Sequence, residues 1–192
     1  MVTLVDITAE NPAIDLTVFP NTTAGYYWTS LTDALSPSPG EVWFVDFIYG
    51  KALCDLVSPQ KVRCVRGARC YPTSRFVVLS GGLVSDTLTN LVWQQQASTT
   101  TMAWNAAETY CAGAGSGFRL PTMKELLSIV DFTVHWPPGP MINQTAFPNT
   151  PAEAFWTSSP IDGSSYGAWL VNFAGGSGEG YLSDYCWVRC VR

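Results

Sequence analysis

Apolar positions in this chain fall mostly in short runs, and two stretches of its C-terminal two-thirds carry the spacing of a helix. In Thr122-Met123-Lys124-Glu125 the Thr hydroxyl and Glu carboxylate have the spacing of a capping box, with Met123, Leu126, Leu127 and Val130 following as a buried stripe. Residues 102–112 place Ala103, Ala107, Tyr110 and Cys111 on one face. The polar turn 97–101 offers this second helix a cap, and Gly113–Gly117 ends it. Elsewhere the pattern predicts strands. Phe76–Leu79 and Leu83-Val84 flank Gly81-Gly82 as a hairpin, and Leu88–Trp93 makes a further strand. The pattern predicts a Pro-rich loop at 136–140, a Gly-rich loop at 174–184 and a last strand over Trp187–Val191.

The apolar runs recur. Phe147-Pro148-Asn149-Thr150, Trp156-Thr157-Ser158, Trp169–Phe173 and Val188-Arg189-Cys190-Val191-Arg192 each have an earlier counterpart. These are Phe19-Pro20-Asn21-Thr22, Trp28-Thr29-Ser30, Trp43–Phe47 and Val62-Arg63-Cys64-Val65-Arg66, in the same order. The offset is 128 residues for two blocks and 126 for the other two, so a duplicated domain is expected. Leu4–Thr8 matches Ile129–Thr133, so the first copy opens where the second is half complete. We expect either a fragment of a longer array or another chain that supplies the remainder. The domain reading is a partial unit at 1–66, a linker at 67–74 and a complete unit at 75–192.

Composition changes the picture in two ways. At 47% hydrophobic but only 13% charged, the chain can build a core while carrying about half the charge usual for soluble domains, which favours an extracellular protein. The net charge of −5 argues against nucleic-acid partners. Lys61, Arg63, Arg66, Arg69 and Arg75 cluster, but read as a solvated strand end and linker. No apolar run is long enough for a spanning helix, so direct membrane insertion is not expected. Six cysteines, an even number, suit an oxidising compartment.

Phe118-Arg119-Leu120-Pro121-Thr122 with Glu125-Leu126, together with the four C-terminal blocks, resembles the Lcl C-terminal-like domain family of bacterial surface proteins. That family's fold is similar to C-type lectin domains and formylglycine-generating enzymes. The resemblance covers residues 75–192 well and 1–66 in part. It implies an α+β, C-type-lectin-like fold in tandem, with two helices beside small irregular antiparallel sheets. It also implies a disulfide between Cys111 and Cys190. Cys54, Cys70 and Cys186 have no counterpart in the other copy, and bridges between the copies are one expectation for them. Family members act mainly as adhesive or ligand-binding modules, some for sulfated polysaccharides. The acidic balance argues against a sulfated ligand here, and the Glu-Pro-Asn and Trp-Asn-Asp signatures of calcium-dependent sugar binding are absent.

Catalytic motifs do not accumulate. Gly163-Ser164-Ser165-Tyr166-Gly167 has the nucleophile-elbow spacing, but a strand pattern follows it and the single histidine, His135, lies upstream. His135 has no metal-site companions. Gly175–Gly180 lacks the Lys-Ser/Thr ending of a phosphate loop. Cys186 and Cys190 are similar in spacing to the paired cysteines of formylglycine-generating enzymes. On a strand they would stand about 13 Å apart, too far to bond one another, and a structural bridge for each is the expectation. The recurring tryptophans Trp28, Trp43, Trp156 and Trp169 read as core.

Asp162, Tyr166, Glu179, Tyr181, Asp184, Tyr185 and Trp187 occur in the loops of one copy only and are the candidate contact residues. The expected function is a non-catalytic, extracellular or cell-surface module without cofactor, binding a glycan or a cell-surface protein through loops 160–168 and 174–187. The rival expectation is a structural subunit that self-associates into an oligomer or filament, its incomplete unit completed by a neighbouring chain.

Overall fold

A computed structural model describes residues 4–6, 9, 11–32, 41–56, 59–66, 74–134, 137–161 and 163–192, with backbone only at 54–56 and 177–179. The class is α+β. Among the described residues there are two short helices, α1 (Trp104–Gly113) and α2 (Met123–Ser128). Nine strands form three antiparallel sheets of three: β1 (Tyr26–Thr32), β2 (Glu41–Asp46) and β3 (Lys51–Leu56); β4 (Phe76–Leu79), β5 (Leu83–Asp86) and β6 (Leu91–Gln94); β7 (Ala154–Pro160), β8 (Gly167–Asn172) and β9 (Gly176–Tyr181).

The local signals that depend on one turn are met. Thr122 caps α2 through its side chain, and the Glu125 carboxylate takes the Thr122 amide at 2.7 Å. Gly81 and Gly82 turn β4 into β5 with φ of +76° and +71°, a conformation that needs glycine. Helix α1 differs from expectation. Its N-cap is Ala103 with no side-chain bond, because the polar turn 97–101 ends two residues too early. Ser98 instead donates to Thr100 O and accepts the Val188 amide. Ala107 and Cys111 are the buried face of α1, while Tyr110 is exposed.

Two further expectations are corrected. The glycine-rich stretch after residue 174 is a strand, not a loop, from Gly176 to Tyr181, paired along its length with β8. Glycine is required there for packing: a Cβ on Gly180 would stand 2.7 Å from Leu170 Cδ2 and 3.2 Å from Trp156 Cη2. Conversely, Trp187–Val191 is extended but not a regular strand. Its carbonyls are shared among separate segments: Trp187 O accepts from Trp156, Val188 O from Ser98, Cys190 O from Gln94 and Val191 O from Arg119. No single neighbour runs beside it far enough to make a ladder.

Sheets β1–β2–β3 and β7–β8–β9 share one hydrogen-bonding plan. Tyr26, Tyr27, Trp28 and Thr32 pair with Asp46, Val45, Phe44 and Val42. Ala154, Phe155, Trp156 and Pro160 pair with Asn172, Val171, Leu170 and Ala168, and both ladders shift register at the same place. At that shift Thr29 Oγ1 donates to Trp43 O at 2.7 Å, and Thr157 Oγ1 to Trp169 O at 2.7 Å. Isolated bridges repeat as well: Val5 with Ile14 and Val130 with Ile142, Tyr27 with Lys61 and Phe155 with Trp187.

The largest core lies under β8, α2 and the 141–147 turn, and contains Trp93, Leu126, Phe147, Phe155, Trp169 and Phe173. Trp43 belongs to it, its ring meeting Phe132 edge-on at 4.9 Å. A tryptophan of the N-terminal sheet thus completes the core of the C-terminal region. A second cluster joins α1 to Trp156, Ala168 and Val188, and a third holds Val5, Ile14, Tyr27, Val45 and Phe47 under the N-terminal sheet. Residues 67–73, most of the expected linker, lie outside the described residues.

Candidate ligand-binding surface

The three candidate tyrosines stand in solvent at one edge of the C-terminal sheet: Tyr166, Tyr181 and Tyr185 are 76%, 70% and 72% exposed. Their backbones are close and fixed. Gly167, next to Tyr166, pairs with Tyr181 across β8 and β9. Leu182 N donates to Tyr166 O at 2.9 Å, and Asp184 N to Tyr181 O at 2.8 Å. The Asp184 carboxylate accepts the Tyr181 amide at 2.8 Å, closing the turn that carries Tyr185. The following residues are pinned to the start of α1: Trp104 N donates to Leu182 O, and Met102 and Cys186 exchange both backbone bonds. A pinned loop presenting tyrosines loses little freedom on binding, since each ring has only two side-chain torsions to fix.

The other candidates do not all join them. Trp187 is half-buried, packs against the large core and pairs with Phe155 on the outer side of β7, the opposite edge of the sheet from Tyr181. Glu179 lies on β9 with its backbone opposite Trp169. Asp162 and His135 lie outside the described residues. Asp184 is exposed, and one of its carboxylate oxygens serves the Tyr181 turn.

The Gly163–Gly167 motif is the connection between β7 and β8. Ser164 N donates to Ile161 O, and strand β8 follows where a nucleophile elbow would have a helix. Among the described residues no cluster of His, Cys, Asp and Glu could hold a metal ion.

Cys111 and Cys190 are bonded, 79 residues apart in the chain, joining α1 to the C-terminal segment. Cys186 is not bridged, contrary to expectation. It is a buried free thiol with Ala107, Val188 and Cys190 in the cluster beneath α1. Burial, then the nearby Asp184 charge, pushes it up to about 11. Cys64 is free and exposed. Cys70 lies outside the described residues, and so does the side chain of Cys54.

Two surface features carry no sequence signal. A groove of about 450 Å³ opens on the C-terminal region, lined by Phe76, Val130, Phe132, Asn143 and Thr145 among others, with Leu31 at its rim. Leu31 is the one lining residue from the N-terminal region. The second is the exposed apolar edge at Val62 and Val65.

The paired sheets, the Thr–Trp carbonyl bonds and the α2 capping box all fall within residues 1–66 and 82–192. The chain belongs to the Lcl C-terminal domain family, whose model matches residues 1–66 and again 82–192. No curated protein matches the chain.

Proposed function

We infer that the chain is an extracellular, non-catalytic binding module of a bacterial surface protein. It is built from two C-type-lectin-like units of which residues 1–66 form the C-terminal part of the first. The observation that carries the binding role is the edge at Tyr166, Tyr181 and Tyr185. Three largely exposed aromatic rings on a hydrogen-bonded loop are costly to leave in water and well suited to stack on sugar rings or seat a protein partner. The Cys111–Cys190 bond supports an oxidising location. Among the described residues no helix is long and apolar enough to cross a membrane.

Trp187 leaves the proposed contact set because it packs against the core. The test is the triple variant Tyr166→Ala, Tyr181→Ala, Tyr185→Ala on an array of neutral and sulfated glycans and on host-cell surfaces. Loss of binding by about tenfold or more per removed anchor pair, with an unchanged melting temperature, supports the surface. Equal binding by the variant removes it, and a parent chain that binds no glycan confines the partner to protein. The reading as a subunit of a filament or surface array is favoured by a different observation, the exposure of Val62 and Val65.

A further inference from the structure

The stretches that build the tyrosine edge carry formal charge of one sign. Residues 76–118 and 137–188 contain no Lys, Arg or His, but hold Asp86, Glu108, Glu153, Asp162, Glu179 and Asp184. Tyr166, Tyr181 and Tyr185 stand in the second stretch, and the first holds their loop through the backbones of Met102 and Trp104. Lys51 reaches the same sheet from the N-terminal region, but it lies over Tyr49 and the buried ring of Trp169.

Elsewhere the chain matches aromatic rings with its own cations. Arg63, Arg75, Arg189 and Arg192 lie over Phe19, Phe76, Phe147 and Phe118 at 4.7 to 5.0 Å. Among the described residues no cation lies over Tyr166, Tyr181 or Tyr185, although all three rings are largely exposed. Asp184 adds an exposed carboxylate to that edge. Its Oδ2 accepts the Tyr181 amide at 2.8 Å, and its Oδ1 accepts no hydrogen bond among the described residues.

We propose that the tyrosine edge seats an arginine-bearing segment of a separate protein. A guanidinium stacks on a tyrosine face while its N–H groups donate to the Asp184 carboxylate. This rests on reading the tyrosine edge as the contact surface, and names the partner of that same surface. A sulfated or phosphorylated ligand meets repulsion there, with no basic side chain in the loops to offset it. A neutral sugar leaves the carboxylate charge uncompensated. A quaternary ammonium takes the ring faces but has no N–H to offer Asp184. Lysine has one, but its ammonium is more strongly hydrated and does not stack. A second copy of this chain is a poorer source of arginine. Arg75 and Arg119 are paired with Asp86 and Glu125, and Arg189 is buried.

The test titrates the full chain by calorimetry with a capped Gly-Arg repeat peptide, its Gly-Lys counterpart and choline. The expected result is saturable binding of the arginine peptide, with the lysine peptide weaker by about threefold or more. The variant Tyr166→Ala, Tyr181→Ala, Tyr185→Ala should lose about tenfold or more, and Asp184→Asn about threefold or more. Asparagine still accepts the Tyr181 amide, so the turn persists in that variant. Glu153→Gln removes the same charge beside the Ala154–Asn172 pair, at the other end of the sheet from Tyr181, and should leave binding unchanged. Equal weakening by Glu153→Gln and Asp184→Asn would reduce the attraction to net charge and overturn the proposal. Equal affinity for the lysine peptide or for choline would overturn it too. A parent chain that binds a neutral glycan through the tyrosines, but not the arginine peptide, removes the cationic partner and leaves the contact surface standing. Equal binding of the arginine peptide by the triple variant removes the surface itself and the proposal with it.

Discussion

Arg189 donates through Nη2 to the Thr150 hydroxyl at 2.7 Å, deep enough that both residues are buried. Its other terminal nitrogen donates to Gln94 O at 2.8 Å and to Gln95 O. Among the described residues no carboxylate pairs with it. Burial therefore pushes its pKa down to about 9, and at neutral pH it remains a cation held by neutral oxygens and by the faces of Phe147 and Phe155. The guanidinium ties the 94–95 turn, the Thr150 turn and the C-terminal segment at one point.

Removing it should leave those buried acceptors without donors. Arg189→Ala is expected to cost about 3 kcal/mol in urea unfolding, and Arg189→Lys most of that, because an ammonium cannot reach the same acceptors in a planar fork. Arg63, which has the Thr22 and Phe19 contacts on an edge that is otherwise exposed, should cost under about 1 kcal/mol as Arg63→Ala. Equal costs for the two would mean that the cover over Arg189 contributes nothing.

Acid should loosen the C-terminal region through two carboxylates. Burial pushes Asp86 up, but hydrogen bonds from Arg75, Thr89 and the Leu88 amide, with the Arg75 charge, outweigh it and hold Asp86 below its ordinary value. For Glu125 burial is again opposed and outweighed, by the Arg119 hydrogen bond and charge and by Thr122, and the net direction is down. A carboxylate with a lowered folded value contributes stability in full above its unfolded value, near pH 4, and loses it as pH falls through the folded one. Asp46, pushed up chiefly by burial, acts in the opposite sense. The urea midpoint should therefore hold above about pH 5 and fall steadily below about pH 4. Asp86→Asn should flatten that acid limb while lowering stability at neutral pH by about 2 kcal/mol, since Arg75 loses its charged partner. An unchanged acid slope in the variant would assign the loss elsewhere.

Where one turn sets the conformation, residue identities suffice to read it. Thr122 with Glu125, and Gly81 with Gly82, each act on atoms three or fewer residues away, so their outcome does not wait on the tertiary fold. The Cys111–Cys190 pairing came from family resemblance, not from spacing. What was illegible depends on a distant neighbour. Gly176–Tyr181 looks like a loop by composition and becomes a strand because the Trp156 indole and Leu170 need a floor without side chains. Trp43 reads as core, but nothing near it in sequence says that Phe132 is its partner. Cys186 looks like half of a bridge and is a packed thiol. The tyrosines lack a counterpart in the other copy, a signal that finds exposed loop residues but also picks out Trp187, which packs against the core.

Thiol chemistry should separate the cysteines cleanly. Reducing Cys111–Cys190, or replacing both by Ser, opens a loop between residues 79 apart and should lower stability by about 4–5 kcal/mol in the chain-entropy model. In the native chain Cys64 should be alkylated quickly because it is exposed. Cys186 should resist up to strongly alkaline pH, because burial and then Asp184 hold its pKa at about 11. Peptide mapping after a timed pulse of iodoacetamide at pH 8 reads both. Equal labelling of Cys64 and Cys186 would contradict the packing beneath α1.

The contact between the two regions can be tested at Gly176. Its φ is +106°, and a Cβ there would stand 2.4 Å from the carbonyl oxygen of Ala52 and 3.6 Å from the Trp43 ring. Neither neighbour is the free end of a flexible side chain. The substitution Gly176→Ala must strain its own backbone and push β3 away. That should cost more than about 1 kcal/mol, the range in which a compatible glycine replacement would instead stabilise. The disturbance should appear where the regions meet, as faster amide exchange across Lys51–Leu56 and a red-shifted tryptophan emission as Trp43 gains water. Its neighbour Gly175 meets nothing within 4 Å and does not need a positive φ, so Gly175→Ala should leave both readouts unchanged. If Gly176→Ala is as silent as Gly175→Ala, the N-terminal sheet does not rest on β9, and Trp43 has no reason to be counted in the C-terminal core.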